Sequence, residues 1–131
     1  MVYVDTSAFL AVLDASDQCH PRAARVWREL LQSGVSLACS SYALVETCAL
    51  IQRRLGMEAL RAFREDVYPI LTVFWVDART HESAADAVLA ANRRELSLVH
   101  CVSFLVMRQN GLKKVFTFDR HYVEQGFEVL G

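Results

Sequence analysis

The stretch that decides the fold is residues 2–13, Val2-Tyr3-Val4-Asp5-Thr6-Ser7-Ala8-Phe9-Leu10-Ala11-Val12-Leu13. Three β-favouring residues lead into an acid and two hydroxyl residues, after which an apolar helical pattern begins. This order predicts a buried strand that ends where a helix starts, with Asp5 at the junction. In open α/β sheets the ligand crevice lies beyond the carboxyl ends of the strands. Asp5 is therefore a candidate ligand-binding residue; the alternative is that it only caps the helix by accepting hydrogen bonds from free amide groups.

Length and composition predict one globular domain over residues 1–131. Of the 131 residues 53% are apolar, which is enough for a sizeable core. No apolar run approaches the roughly 20 residues that a bilayer-spanning helix needs, and no basic segment precedes the first apolar run as in a secretory signal. We therefore expect a cytoplasmic protein without membrane contact.

The cysteines and charges argue against two further classes of protein. The four cysteines are scattered without a CxxC pair, so neither a disulfide framework nor a structural zinc site is expected. The net charge of −1 excludes a globally basic nucleic-acid binder. Paired cations at Arg53-Arg54, Arg93-Arg94 and Lys113-Lys114 could form local patches, or they could be solvated helix ends and strand edges.

The rest of the chain alternates predicted helices with predicted strands. Pro21, Gly34, Gly56, Pro69 and Asn110-Gly111 mark element boundaries. Strands that alternate with helices predict an α/β fold with a mainly parallel sheet covered on both faces. The predicted helices are 6–13, 21–32, 42–55, 57–68, 80–94 and 98–109, and the predicted strands are 2–4, 35–39, 71–76, 114–118 and 127–130.

Three acids occupy comparable positions along this pattern. Asp5 and Asp119 directly follow predicted strands, and Glu46 lies early in a helix that follows another strand. If these strands are neighbours, right-handed crossovers bring the three carboxylates to one end of the sheet. Clustered carboxylates need a cation, and hard oxygen ligands favour Mg²⁺ or Mn²⁺. Such a site suits phosphodiester hydrolysis. Taken alone, Glu46 also fits a solvent-facing position near Arg53 or Arg54.

Five short segments of the chain resemble PIN-domain proteins. Their order and spacing are similar to those of VapC-type toxins of prokaryotic toxin–antitoxin pairs, and the resemblance covers almost the whole chain. It implies a three-layer α/β/α fold and a Mg²⁺- or Mn²⁺-dependent ribonuclease, usually a homodimer, that a small VapB-like antitoxin inhibits. The segments are Asp5-Thr6-Ser7-Ala8, Val45-Glu46, Leu96-Ser97-Leu98, Cys101-Val102-Ser103-Phe104 and Thr117-Phe118-Asp119-Arg120-His121.

The resemblance implies a metal site at Asp5, Glu46 and Asp119, and it exposes one departure. Where the family usually has Ser-Leu-Thr-Asp-Cys, this chain has Ser97-Leu98-Val99-His100-Cys101, so His100 takes the place of the fourth carboxylate. Imidazole is a poor ligand for magnesium and a fair one for manganese. His100 is thus a candidate metal and catalytic residue in a natural variant, a disabled enzyme, or a protein carrying a selected or introduced substitution; alternatively it is a structural histidine at a helix start.

Arg120 and His121 immediately follow Asp119, which makes them candidates for contact with an RNA phosphate. Surface hydrogen bonding is the alternative for His121. For partners, we expect self-association or antitoxin binding through exposed apolar helix positions such as Trp27, Phe63 or Tyr68.

Three functions are compatible with the acidic cluster. The first is a ribonuclease toxin, and the second is a catalytically silent PIN module that binds RNA or antitoxin without cleaving. The third is a receiver-like domain that accepts phosphate. It is disfavoured because such a domain needs paired acids after its first strand, whereas Asp5 is single.

Overall fold

The computed structural model describes all 131 residues, and its five strands form one sheet in which every neighbouring pair is parallel. This confirms the predicted parallel sheet. The strands are β1 (Val2–Val4), β2 (Leu37–Ser40), β3 (Leu71–Phe74), β4 (Lys114–Phe116) and β5 (Glu128–Leu130), in the spatial order β3-β2-β1-β4-β5.

Every predicted helix is present, and one further helix was not predicted. The helix after Gly56 changes geometry before Pro69: it continues through a π turn at Phe63–Val67 and a 3₁₀ turn at Tyr68–Ile70. The unpredicted helix has only four residues, too few to carry a periodic pattern. The helices are α1 (Thr6–Leu13), α2 (His20–Ser33), α3 (Ser41–Arg54), α4 (Met57–Ala62), α5 (Ala78–Ala91), α6 (Leu98–Gln109) and α7 (His121–Glu124).

Two apolar cores lie on opposite faces of the sheet. Val2 and Val4 belong to a cluster with Phe9 and Phe63, whereas Tyr3 belongs to the second cluster. Successive side chains of a strand point to opposite faces, which explains this alternation. Helices α1 to α4 and the turns that follow α4 supply most of the helical residues of the first cluster, and α5 to α7 supply most of those of the second. The fold is therefore a three-layer α/β/α arrangement, as predicted.

Three residues that we expected at a partner surface pack into the first core instead. Phe63 is fully buried, and Trp27 and Tyr68 are partly buried against the same cluster. The Trp27 ring meets Phe9 edge-on, with 6.4 Å between ring centroids. The prediction for these residues is wrong because their helices turn the aromatic rings toward the sheet. The exposed large apolar side chains are Met1, Leu31, Val45, Met57, Ile70, Trp75, Leu89 and Val123.

The strand order places the three strands that precede the predicted acids side by side. Strands β2, β1 and β4 are adjacent and parallel, so the residues that follow them lie along one edge of the sheet. β1 is also the strand at which the order reverses, the usual position of a ligand crevice in an open α/β sheet. No helix combines the length and the apolar character needed to cross a membrane.

Candidate active site at the carboxyl edge of the sheet

Asp5 is a buried carboxylate at the end of the central strand, and only 3% of the residue is exposed. It caps α1 by accepting a hydrogen bond from the Ser7 N–H at 3.3 Å, so Asp5 is a helix cap, as the alternative interpretation predicted. Three hydroxyls also donate to it: Ser7 at 2.7 Å, Thr117 at 3.0 Å and Tyr122 at 2.9 Å. None of the ion pairs includes Asp5. A buried charge without a cation is costly. A residue that only caps a helix does not need to be both buried and charged.

Thr117 connects Asp5 to Asp119. Its side chain is fully buried just beyond β4, where its hydroxyl donates to Asp5 and accepts from the Asp119 N–H at 2.9 Å. The Ser7 hydroxyl lies 3.2 Å from that of Thr117 and accepts from the Phe118 N–H at 3.0 Å. Two of the three predicted acids therefore belong to one hydrogen-bond network.

His100 joins this network through Asp119. In the first turn of α6 it forms a reciprocal capping box with Ser97: the His100 N–H donates to the Ser97 hydroxyl at 3.2 Å, and the Ser97 N–H donates to His100 Nδ1 at 3.1 Å. Because Nδ1 accepts a backbone N–H, the ring's proton lies on Nε2. Nε2 is 2.7 Å from Asp119 Oδ2. His100 thus both caps a helix and holds Asp119 by a hydrogen bond.

Arg120 and His121 differ in their access to solvent. The His121 side chain is 7% exposed, and its ring nitrogens lie 3.9 Å from Asp119 and 3.5 Å from Glu124. The structure therefore does not support the predicted contact of His121 with an RNA phosphate, because the ring is buried against acids. Arg120 is exposed, and with Arg22 and Asp119 it lines a cleft of about 240 Å³.

Glu46 lies apart from this network. It occupies the second turn of α3, is half-buried, and takes part in none of the side-chain hydrogen bonds or ion pairs. Its neighbour Thr47 donates to the Thr6 hydroxyl at 3.0 Å, which fixes the start of α3 against α1 beside Asp5. No group of three or more His, Cys, Asp or Glu side chains is arranged to hold a metal ion. The predicted convergence of Asp5, Glu46 and Asp119 is therefore not confirmed.

Comparison with known proteins identifies the fold family. The family model described as "PIN domain" matches residues 2–128. The chain belongs to the PIN-domain family. This confirms the resemblance inferred from the short segments of sequence.

One curated relative is an endonuclease of similar length. The chain is 32% identical over 128 residues, 97% of its own length and 95% of that protein, to the "23S rRNA-specific endonuclease VapC20" of Mycobacterium tuberculosis. The crystal structure of VapC20, described as a sarcin-ricin loop cleaving toxin, superposes with a TM-score of 0.81 and covers 97% of this chain and 96% of that chain. The PIN assignment thus rests on sequence and structure together.

Two more distant structures share the fold alone. FitAcB from Neisseria gonorrhoeae superposes with a TM-score of 0.72 at 13% identity, covering 100% of this chain and 97% of that chain. The structure of FitAB bound to the IR36 DNA fragment superposes with a TM-score of 0.73 at 14% identity, covering 98% of this chain and 93% of that chain. The PIN architecture is therefore retained at identities far below the value for VapC20.

Sequence reasoning missed two residues of this PIN site. Thr117 was part of a recognised segment, but nothing in the sequence indicated that its hydroxyl would bridge two acids. Tyr122 was not singled out at all. Its only signal is a polar aromatic three residues after Asp119, where a buried phenol needs a hydrogen-bond partner.

The donor chemistry of this PIN site fits a hard divalent cation. Asp5 and Asp119 supply carboxylate oxygens, and the buried charge of Asp5 has no counter-ion. Carboxylates of this kind are the ligands that Mg²⁺ and Mn²⁺ prefer. His100 adds no negative charge where a fourth acid would have done so.

Proposed function

We propose that this chain is a metal-dependent endoribonuclease that acts as the toxin of a toxin–antitoxin pair. The observation that carries the proposal is the buried carboxylate of Asp5, which has no cationic side chain beside it and is joined through Thr117 to Asp119 at the carboxyl edge of β1 and β4. The similarity to VapC20, whose description names 23S rRNA as its substrate, supports RNA as the substrate class.

In this proposal Asp5, Glu46 and Asp119 hold Mg²⁺ or Mn²⁺, with His100 beside them. When bound, the ion activates water and stabilises the leaving oxygen. Glu46 has no other side-chain partner, so its carboxylate is available to the ion. Asp5 and Asp119 are already oriented by their hydrogen bonds.

The cleft beside Asp119 is where the RNA backbone lies in this proposal. Arg22 and Arg120 line the cleft together with Asp119, and neither arginine is held in an ion pair. Guanidinium groups bind phosphate oxygens with two parallel hydrogen bonds. The two arginines therefore position the phosphate backbone, as basic side chains do in nucleic-acid complexes.

The partners of this toxin are a small VapB-like antitoxin and a second copy of the chain. Val45 on α3 and Leu89 on α5 are exposed large apolar side chains suited to such contacts. The protein acts in the cytoplasm, because ribosomal RNA, the substrate class named for VapC20, is found there.

A second function, a PIN module that binds RNA or antitoxin without cleaving, is favoured by one observation. His100 Nε2 lies 2.7 Å from Asp119 Oδ2, so a neutral donor occupies an oxygen that a metal needs. The site also lacks the negative charge that an acid at position 100 would supply. Weak binding of magnesium follows from both effects.

Cleavage by the wild type and by His100→Asp, with Mg²⁺, Mn²⁺ or EDTA, tests both functions. An RNA that contains the 23S sarcin-ricin loop is the first substrate to use. We expect EDTA-sensitive cleavage by the wild type, better with Mn²⁺ than with Mg²⁺. His100→Asp should raise magnesium-dependent cleavage by about tenfold or more, because one hard ligand is worth several kcal/mol and 1.36 kcal/mol corresponds to a factor of ten.

His100→Asn is the matched control, because it removes the imidazole without adding charge. Faster magnesium-dependent cleavage by both variants would mean that the loss of the His100–Asp119 contact, and not the new carboxylate, raises the activity. Equal magnesium-dependent cleavage by the wild type and His100→Asp would contradict a metal role for position 100. If His100→Asp cuts no RNA with either ion, the silent module is the better description.

A further inference from the structure

Two tyrosines are fully buried in the second core, and the hydroxyl of one of them donates to a carboxylate. Tyr3 pairs with the Ser103 hydroxyl at 2.7 Å and accepts from the Ser40 N–H at 3.1 Å. Tyr122 donates instead to Asp5 Oδ1 at 2.9 Å. A tyrosine that bonds neutral groups serves packing. A tyrosine that donates to a buried carboxylate controls the direction in which that carboxylate presents its lone pairs.

The two oxygens of Asp5 are unequally occupied. Oδ2 accepts from the Ser7 N–H, the Ser7 hydroxyl and the Thr117 hydroxyl. Oδ1 accepts from Tyr122 alone. A carboxylate offers about four lone-pair positions over its two oxygens. Oδ1 is therefore the oxygen that retains a free lone pair, and Tyr122 is the one group that donates to it.

The Tyr122 ring is itself held rigidly. It meets Phe104 edge-on at 5.1 Å and lies 6.3 Å from both Phe127 and His100, measured between ring centroids. The packed ring keeps the Tyr122 hydroxyl in one place, 2.9 Å from Asp5 Oδ1.

We propose that Tyr122 is a positioning residue that holds Asp5 with Oδ1 directed toward the cation, the remaining lone pair being kept for that cation. The inference rests on the proposed function, since it concerns a ligand of the same site. Tyr122 acts only through Asp5: its hydroxyl neither binds the cation nor takes part in RNA cleavage. Partners of metal ligands have this effect because they fix the orientation of the ligating group.

Tyr122→Phe, with Tyr3→Phe as the matched control, tests this role by Mn²⁺ titration calorimetry and denaturant unfolding. Each variant deletes one buried phenol oxygen from the same core. We expect Tyr122→Phe to bind Mn²⁺ about 10- to 100-fold more weakly than the wild type. Tyr3→Phe should change Mn²⁺ affinity by no more than about twofold, as expected for a site without contact to the ligand, although it too loses stability.

Unchanged Mn²⁺ affinity in Tyr122→Phe would overturn the proposal, and so would an equal loss of affinity in Tyr3→Phe, which would indicate a general packing defect. If the wild type itself binds no Mn²⁺, the proposed function fails and this inference fails with it. If Tyr122→Phe does not fold, the double variant with Asp5→Asn decides. Recovery of folding after removal of the Asp5 charge would show that the Tyr122 hydroxyl acts through Asp5, as proposed, whereas no recovery would show that it serves the packing of the core and would overturn the proposal.

Discussion

Asp5 and Asp77 occupy the same local position in two parts of the molecule. Each follows a strand and caps the next helix from an extended backbone, with φ −86° in both and ψ 156° and 169°. Asp77 is exposed, and its side chain accepts a hydrogen bond from the Thr80 N–H at 2.8 Å. Asp5 is 3% exposed and receives three hydroxyl donors besides its capping bond.

The difference between the two acids lies in what other parts of the chain bring to them. The capping geometry is encoded locally by a short polar residue before a helix. Thr117 and Tyr122 reach Asp5 from β4 and α7, more than 110 residues along the chain. A helix cap becomes a candidate active-site acid only where the topology places another strand's donors around it.

We expect the largest difference between the two acids in RNA cleavage by Asp5→Asn and by Asp77→Asn. Asparagine retains the capping ability of aspartate, so both variants should fold. We expect Asp5→Asn to reduce RNA cleavage about 1,000-fold, since a lost metal ligand costs several kcal/mol of transition-state stabilisation. Asp77→Asn should stay within about twofold of the wild type, as is usual for surface substitutions.

Initial cleavage rates in Mn²⁺, measured beside circular dichroism spectra, test this contrast. Similar losses in the two variants would mean that Asp5 acts only as a cap. Full activity of Asp5→Asn would exclude it as a metal ligand.

The second pair of variants, Thr117→Val and Thr80→Val, alters the threonine that bonds to Asp5 and the one that bonds to Asp77. Valine keeps the shape of threonine but deletes the hydroxyl, so Thr117→Val strips one donor from Asp5 and leaves the Asp119 N–H without its acceptor. We expect a loss of about 1–3 kcal/mol in unfolding free energy, the cost of buried polar groups left unpaired, together with weaker Mn²⁺ binding.

Thr80→Val leaves the backbone bond to Asp77 in place and should leave Mn²⁺ binding unchanged. Denaturant titration and calorimetry on the two variants give both quantities. A Thr117→Val protein as stable as the wild type would show that the bridge between Asp5 and Asp119 contributes little.

The smallest expected effect is the pH dependence of the Asp77 cap. Hydrogen bonding from the Thr80 backbone N–H, followed by its side chain, lowers the pKa of Asp77 from 3.8. Because the folded pKa is below the unfolded one, the stabilisation is complete above the unfolded value near 3.9 and is lost as pH falls through the folded pKa. The stability difference between wild type and Asp77→Asn should therefore shrink between about pH 5 and pH 2. A difference that stays constant over this range would show that the charge of Asp77 plays no part.

The strands, the helices and the parallel sheet covered on both faces followed from local patterns, because each strand and helix carries its own hydrophobic period and boundary residues. The position of Asp5 followed for the same reason. The role of Tyr122 could not be predicted, since a tyrosine in a four-residue helix has no pattern to indicate which distant carboxylate it meets. Phe63 shows the opposite error: an amphipathic pattern indicates an apolar face, and here that face packs on the sheet instead of remaining for a partner.

The most direct test of a metal site at this edge is an anomalous difference map from crystals grown with Mn²⁺, recorded at the manganese absorption edge. We expect one strong peak bound by Asp5 Oδ1 and Asp119, with Glu46 turned toward it. A well-ordered site without a peak at saturating Mn²⁺, or a peak held by other residues only, would contradict the assignment of these acids as the metal site.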